Sequence, residues 1–432
     1  MKSCYRWYVA VVMFLFLLLH QADKLLVGPL TTAIMEDFQI NEAQMGAVTS
    51  LAIIVASALY PLWGYLYDRY ARAKLLALAS FIWGSTTWLN ALARTYPVFM
   101  VTRSSTGIDD SSYPGLFSLL SDYFGPRVRG KVYGFMRMSS PLGFMVGTVL
   151  ATQLGGAWGW RGVFFLTGGL GIVLAFIIFF TVRERPRGSA EPEFQEIDQS
   201  DERYRINWKT VRGLLRNRTL ILLMAQGFFG VFPWNVLTFW FFRYLEVERG
   251  YTSGEAMVAM LVAIVAMSAG FFVGGLLGDL FFERTPRGRV LVGAGGVLLG
   301  AAFLLVTVNV AYENTGLFAV LMGFTGLTMS IAAPNVMATV HDTTVPEARS
   351  TARSIHKLVE DGGAAMAPWL AGVIAMRASL ETAIVSICVS TWIICAILFA
   401  LTALVVPGDV ETLRNTMQQR AKEARQHAAQ TA

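Results

Sequence analysis

The loop GYLYDRYARAK at Gly64 to Lys74 returns as GGLLGDLFFERTPRGR at Gly274 to Arg289. Each ends an apolar run with glycine, then aspartate, then a cluster of arginines, and the two lie about half a chain apart. Such a chain reads as two copies of one membrane module. Twelve apolar stretches support this, each near the roughly 20 residues that a spanning helix needs. They run approximately over Trp7–Leu30, Ala43–Tyr67, Leu75–Leu92, Pro97–Phe124, Gly130–Leu154, Trp160–Val182, Thr219–Leu245, Ser253–Phe282, Val290–Ala311, Thr315–Val340, Ser350–Met376 and Thr382–Val406. The fold class that follows is all-α: a polytopic membrane protein with twelve transmembrane helices in two pseudo-symmetric six-helix bundles.

Composition excludes the soluble alternative. Hydrophobic residues make up 55% of the 432 and charged residues 15%, whereas a soluble domain is nearer about 45–50% apolar and 25% charged. The first stretch has the basic start and apolar run of a signal peptide. No small-residue cleavage site follows, however, and it resumes as LLVGPL after Asp23 and Lys24, so we read it as helix one. Cys4, Cys388 and Cys395 cannot build a disulfide framework.

The termini and the loops after even-numbered helices hold about 26 of the 35 lysines and arginines. The opposite loops hold only Arg94, Arg161, Arg249 and Arg377. Both termini are therefore expected to be cytoplasmic, in a multi-pass protein of the plasma (inner) membrane. The net charge of +6 reports this topology and attraction to anionic lipid, and implies no nucleic-acid partner. The expected domains are an N-terminal bundle over 1–182, a cytoplasmic linker over 183–218 with a short amphipathic helix, a C-terminal bundle over 219–406 and a cytoplasmic tail over 407–432. The tail reads as a polar helix that frays and has no assigned function.

Twelve spans, a 6+6 division and the repeated loop resemble the major facilitator superfamily over nearly the whole chain. The family signature is roughly G-x-x-x-D-R-x-G-R-R after helix two. Gly64, Asp68, Arg69 and Arg72 match it, while Ala71 and Ala73 replace a glycine and a basic residue. The resemblance makes these residues, with Asp279, Arg284 and Arg287 in the second copy, gating loops. Gly64 would let two helix backbones approach, and Asp68 would pair among arginines to latch one conformation. RSSTGIDDSSYPG at Arg103 to Gly115 is similar to the helix-four motif R-x-x-x-G-x-G-E-A. HQADK at His20 to Lys24, the helix-four acid and the run from Ala333 to Ile355 look most like spinster-type transporters of lysolipids and related amphiphiles. The N-Y-x-D-R pattern of anion:cation symporters is also similar to helix one, with His20 and Gln21 in place of Asn-Tyr and Lys24 in place of Arg.

Charges inside a membrane cost several kcal/mol unless paired or hydrated, so they point to function. Asp23 lies roughly 24 Å from the inner face and Arg103 roughly 9 Å from the outer face of a core about 30 Å thick. These levels nearly coincide, so the two are expected to pair across helices one and four. Asp110, roughly 20 Å from the outer face, comes level with Arg137 on helix five. We expect Asp23 and Asp110 to take up and release protons in turn, freeing Arg103 and Arg137 or opening the cavity. A static buried ion-pair network is the other reading of the same charges. Asp109 points about 100° away from Asp110 and ranks below it, and Lys24 is near enough to the surface to snorkel.

Helix eleven carries HKLVED at His356 to Asp361, where His356 with Glu360 and Lys357 with Asp361 stand at i, i+4. On helix seven, Pro233 permits a bend, and Trp234 and Asn235 supply an aromatic wall and an amide. Arg103, Arg137, Trp234, Asn235, His356, Lys357 and Glu360 are the candidate substrate contacts.

No nucleophile elbow, Walker loop, H-E-x-x-H or zinc spacing occurs, so no enzyme, metal site or cofactor is expected. The expected function is secondary active transport of an anionic or amphipathic small molecule. Protons are the expected driving ion, sodium is a second candidate, and the chain is expected to be a monomer. A small organic-acid symporter of the same fold and a non-transporting membrane receptor are the alternatives.

Overall fold

The structure is a computed structural model that describes residues 3–110, 112–124, 128, 132, 133, 135, 136, 138–185, 216–345 and 349–431. Arg137, the side chain of Asp68 and nearly all of the expected linker lie outside the described residues. No strand occurs among those described. The helices are α1 (Ser3–Leu25), α2 (Val27–Phe38), α3 (Glu42–Arg69), α4 (Arg72–Leu92), α5 (Tyr96–Ser105), α6 (Gly107–Asp110), α7 (Tyr113–Tyr123) and α8 (Ser139–Thr181), followed by α9 (Arg218–Val247), α10 (Ser253–Arg284), α11 (Gly288–Val308), α12 (Thr315–Ser330), α13 (Ala332–Asp342), α14 (Arg349–Arg377) and α15 (Leu380–Thr431).

Three breaks in this series share one cause. A proline has no N–H to give the carbonyl four residues earlier, and its ring crowds that carbonyl. Pro29, Pro114 and Pro334 therefore strand the carbonyls of Leu25, Asp110 and Ser330, the residues at which α1, α6 and α12 end. Beside the last break Asn335 Nδ2 donates to the carbonyls of Ile331 (2.8 Å) and Gly274 (2.9 Å), tying α13 to α10. Pro61, Pro233, Pro368 and Pro407 lie inside continuous helices. Through the last of these α15 carries helix twelve on to Thr431, so the tail is helical, as its polar helix-forming sequence suggests.

Nine helical segments among the described residues are long and apolar enough to cross a membrane. One of them, α8, is two helices joined at Gly159, whose φ of 66° reverses the chain where a side chain would be strained. The broken series α5–α7 and the charged α14 supply the remaining spans of the expected twelve.

The helices form two units by contact. In the unit of residues 1–201, 235–261 and 364–384, α4 meets α8 where a Cβ on Gly84 would fall on the carbonyl of Gly168, and α8 meets α1 where one on Gly147 would fall on the carbonyl of Ala22. Small residues here permit backbone-to-backbone packing, which drives helix association in lipid. Trp83, Phe16, Leu76, Leu119 and Leu120 fill the core below. At the other end of this unit, Gly28 lies against Thr238, Gly46 against Pro368 and Gly372 against Glu42. Arg243 pairs with Glu42 at 3.0 Å, and Trp240 Nε1 donates to the carbonyl of Pro368 at 2.9 Å. In the second unit Gly274 packs on Ile331, and Ser330 Oγ donates to the carbonyl of Met267 at 2.9 Å.

Candidate functional site

One face of α1 carries His20, Asp23 and Lys24, spaced i, i+3 and i+4. Their partners come from α4, α5, α6 and α8. Asp23, 2% exposed, accepts from Thr167 Oγ1 at 2.6 Å and Thr87 Oγ1 at 3.1 Å. Arg103 stands close enough to act on it electrostatically. Its Nη2 donates to the carbonyl of Lys24 (3.3 Å), its guanidinium lies 5.9 Å from the Phe164 ring centroid, and buried Nη1 has no partner among the described residues. Asp23 and Arg103 thus interact through space, since the carboxylate's hydrogen bonds go to two threonines that sequence reasoning missed. A hydroxyl among apolar helix residues carries no signal of its own.

Lys24, expected near enough to the surface to snorkel, keeps a side chain 41% exposed. It pairs with Asp110 at 2.5 Å, held where α6 stops for Pro114. Asp109, ranked below its neighbour from the sequence, is the more deeply buried acid at 1% exposure and meets His20 Nε2 at 2.6 Å. Arg137 is outside the described residues, so its expected partnership with Asp110 has no geometry to report.

In the second unit the spacing along α14 produces both expected contacts. Lys357 and Asp361 form an ion pair, and His356 Nδ1 lies 3.4 Å from Glu360 Oε1. Arg353, one turn earlier, adds to them by donating to His356 Nδ1 at 2.9 Å and pairing with Glu360 at 3.2 Å. His356 Nε2 donates to the carbonyl of Leu223 on α9 at 3.1 Å. The ring is only 1% exposed and lies against Gly227, where a Cβ would come within 2.9 Å of it. His356, a candidate substrate contact, is buried and joins α14 to α9 through the Leu223 carbonyl. Trp234 and Asn235 on α9 are half-buried.

The repeated loops hold their charges differently from the expected arrangement. Arg72, 2% exposed, pairs with Asp122 at 2.6 Å and Glu184 at 2.8 Å, and donates to the carbonyls of Ser118 and Arg185. Arg69 donates to Tyr65 Oη on its own helix. In the second copy Asp279 pairs with Arg289 (2.7 Å), which also pairs with Asp342. Arg284 lies 6.0 Å from the Phe281 ring centroid, and the Arg287 backbone N–H donates to Thr285. The charge paired with Asp279 in this copy is Arg289, within the quoted motif but not singled out from it. Gly64 brings no backbone near: a Cβ there, as at its counterpart Gly275, would meet nothing within 4 Å.

With this geometry in place, comparison with known proteins gives a consistent result. The profile of the Major Facilitator Superfamily matches residues 12–368. "Protein spinster homolog 1" of Xenopus tropicalis is 27% identical over 400 residues, covering 86% of this chain and 73% of that protein. A probable galactarate/D-glucarate transporter of Bacillus subtilis (strain 168) is 27% identical over 329 residues, 70% of each. A solved bacterial homolog to the human lysosomal transporter Spinster, inward-facing and unoccupied, matches with a TM-score of 0.81 at 19% identity, over 96% of this chain and 99% of that one. The resemblance to spinster-type proteins read from the sequence is found again, and the fold is the one expected.

Proposed function

The chain belongs to the major facilitator superfamily, and from that premise we propose a proton-coupled secondary transporter that works by alternating access on an amphipathic or organic anionic solute. It is a multi-pass membrane transporter and not an enzyme. The observation that carries the proposal is the setting of Asp23. It is a carboxylate buried between two hydroxyls, with an arginine acting on it through space. Movement of α5 or α8 that alters these contacts is the proposed coupling step. Asp110 is the second coupling group, because protonating it releases Lys24.

Arg103 supplies the cationic contact for a solute in its own unit, joined in the proposal by Arg137. Arg353, Lys357 and Glu360, with Trp234, serve in the other, and Asn235 belongs with Arg103 in the first. Cations beside aromatic walls suit an anionic or zwitterionic head group on an apolar body, and the spinster-like resemblance supports a lysolipid-like solute. The similarity to a galactarate/D-glucarate transporter supports a second reading, a small organic acid. The excess of positive loops on one side supports cytoplasmic termini and a plasma (inner) membrane location.

The test uses purified protein in liposomes loaded with a pH dye, with lysophosphatidylcholine and D-glucarate added separately. Proton movement with lysophosphatidylcholine, lost in Asp23→Asn, is the expected result. Movement with D-glucarate alone selects the organic-acid reading. Solute uptake that is unchanged in Asp23→Asn and moves no protons would overturn the coupling.

A further inference from the structure

His20 and Asp109 stand apart from the groups assigned above. We propose that they form a further proton-binding site, separate from Asp23 and Asp110, whose proton balances the buried charge of α1, α5 and α6. This site rests on the reading of the chain as a proton-coupled transporter and deepens it.

The first observation is the state of the carboxylate. Asp109 Oδ2 meets His20 Nε2, while Oδ1 is buried with no partner among the described residues. Trp83 stands edge-on to the imidazole at 5.5 Å between centroids, and Phe16 lies 6.0 Å away. A carboxylate with so few donors in apolar surroundings is costly as an anion. A proton shared between imidazole and carboxylate turns the pair neutral overall, whichever atom carries it.

The second is the charge of the neighbourhood. Asp110 and Lys24 act on His20, Asp110 acts on Asp109, and Arg103 is within electrostatic reach of Asp109, Asp110 and Asp23. Among the described residues this cluster opposes three carboxylates (Asp23, Asp109, Asp110) to two permanent cations (Lys24, Arg103). One proton on His20–Asp109 makes the two sides equal, and its loss leaves a net negative charge in a site where unbalanced charge is expensive. The proton comes from bulk water and returns there, and nothing else is consumed.

The third lies in the sequence. His20 stands where N-Y-x-D-R has asparagine, and Asp109 where R-x-x-x-G-x-G-E-A has its second glycine. These two departures, 89 residues apart, meet at 2.6 Å. An aspartate opposite asparagine would be a buried acid with no base, and a histidine opposite glycine would face an empty position. Only together do the substitutions make chemical sense, and what they add is one group that titrates in place of two that do not.

The experiment needs no solute. The chain has four histidines, so NMR of histidine-labelled protein in micelles resolves them, with His20 identified by its loss in His20→Asn. The His20 signal is expected to titrate and to move by about one unit or more in Asp109→Asn, because an adjacent opposite charge is removed. In Asp23→Asn it is expected to stay within a few tenths of a unit. A His20 that keeps one neutral tautomer throughout, or titrates identically in Asp109→Asn, overturns the site. The double variant His20→Asn/Asp109→Gly removes both partners and is expected to stay monodisperse. In liposomes it is expected to carry one proton fewer per lysophosphatidylcholine, and an unchanged proton count counts against the proposal. Absence of proton-coupled flux in the unmodified protein would defeat the transporter reading while the titration still decides the site.

Discussion

Replacing Arg72 by methionine removes the cation at the centre of the first repeated loop and leaves Asp122 behind. The Arg72 and Asp122 side chains are 3% and 5% exposed, so water cannot take over the lost partner. Stranding one member of such a pair costs about 3–5 kcal/mol. Glu184, 33% exposed, rehydrates and adds about 1 kcal/mol or less. Adding Asp122→Asn to Arg72→Met removes the stranded charge, and the double variant is expected to regain about 2–3 kcal/mol. It remains below the unmodified protein by about 1 kcal/mol for each hydrogen bond lost to Ser118 and Arg185. Unfolding in one fixed detergent, followed by tryptophan fluorescence for the two single variants and the double, completes a thermodynamic cycle. A coupling energy under about 0.5 kcal/mol would refute the reasoning, because it would mean that the pair is hydrated or formed only transiently.

Three further outcomes are expected. Gly147→Leu drives a side chain into the carbonyl of Ala22 beside Asp23 and should abolish monodisperse protein, whereas Gly156→Leu, with nothing within 4 Å, should purify normally; gel filtration of both decides. Gly64→Ala and Gly275→Ala should leave the melting temperature unchanged, since neither Cβ meets a neighbour, yet slow transport if the backbone approach expected of the signature belongs to another conformation. Unchanged transport in both would end that idea. Arg243→Gln breaks the ion pair to Glu42 and is expected to raise labelling of a cysteine placed at Thr32, which hydrogen-bonds Glu246 (3.2 Å), several-fold with an impermeant maleimide. Equal labelling would show that the pair seals nothing.

Much of the candidate site was legible because helix geometry fixes two quantities from numbering alone, rise and angular spacing. Depth along the span followed from 1.5 Å per residue, and it placed Asp23 near Arg103. Contacts within one helix followed from the i, i+4 rule, and both pairs of HKLVED are present. Contacts between helices did not follow. Depth says nothing about which way a side chain faces around the helix axis, so Asp109 was ranked below Asp110, and the threonines around Asp23 went unnoticed. Arg289 could not be told from Arg284 and Arg287, since three arginines in one loop differ only in which of them turns toward Asp279 and Asp342.

The sequence by itself determined that the chain is a helical membrane protein with a repeated module, because apolar run length and the rhythm of charged loops answer directly to bilayer thickness and to the cost of exposing backbone in lipid. Tertiary structure decided which prolines interrupt a helix. Pro29, Pro114 and Pro334 break theirs, while Pro61, Pro233, Pro368 and Pro407 do not. Each strands a carbonyl, and whether the chain bends there depends on how it packs on neighbouring helices, as Asn335 of α13 does on the Gly274 carbonyl of α10. It also decided that His20 would meet Asp109. A contact across 89 residues depends on the rotation of two helices about their own axes, and that rotation is set by close packing at glycines such as Gly84, Gly107 and Gly147.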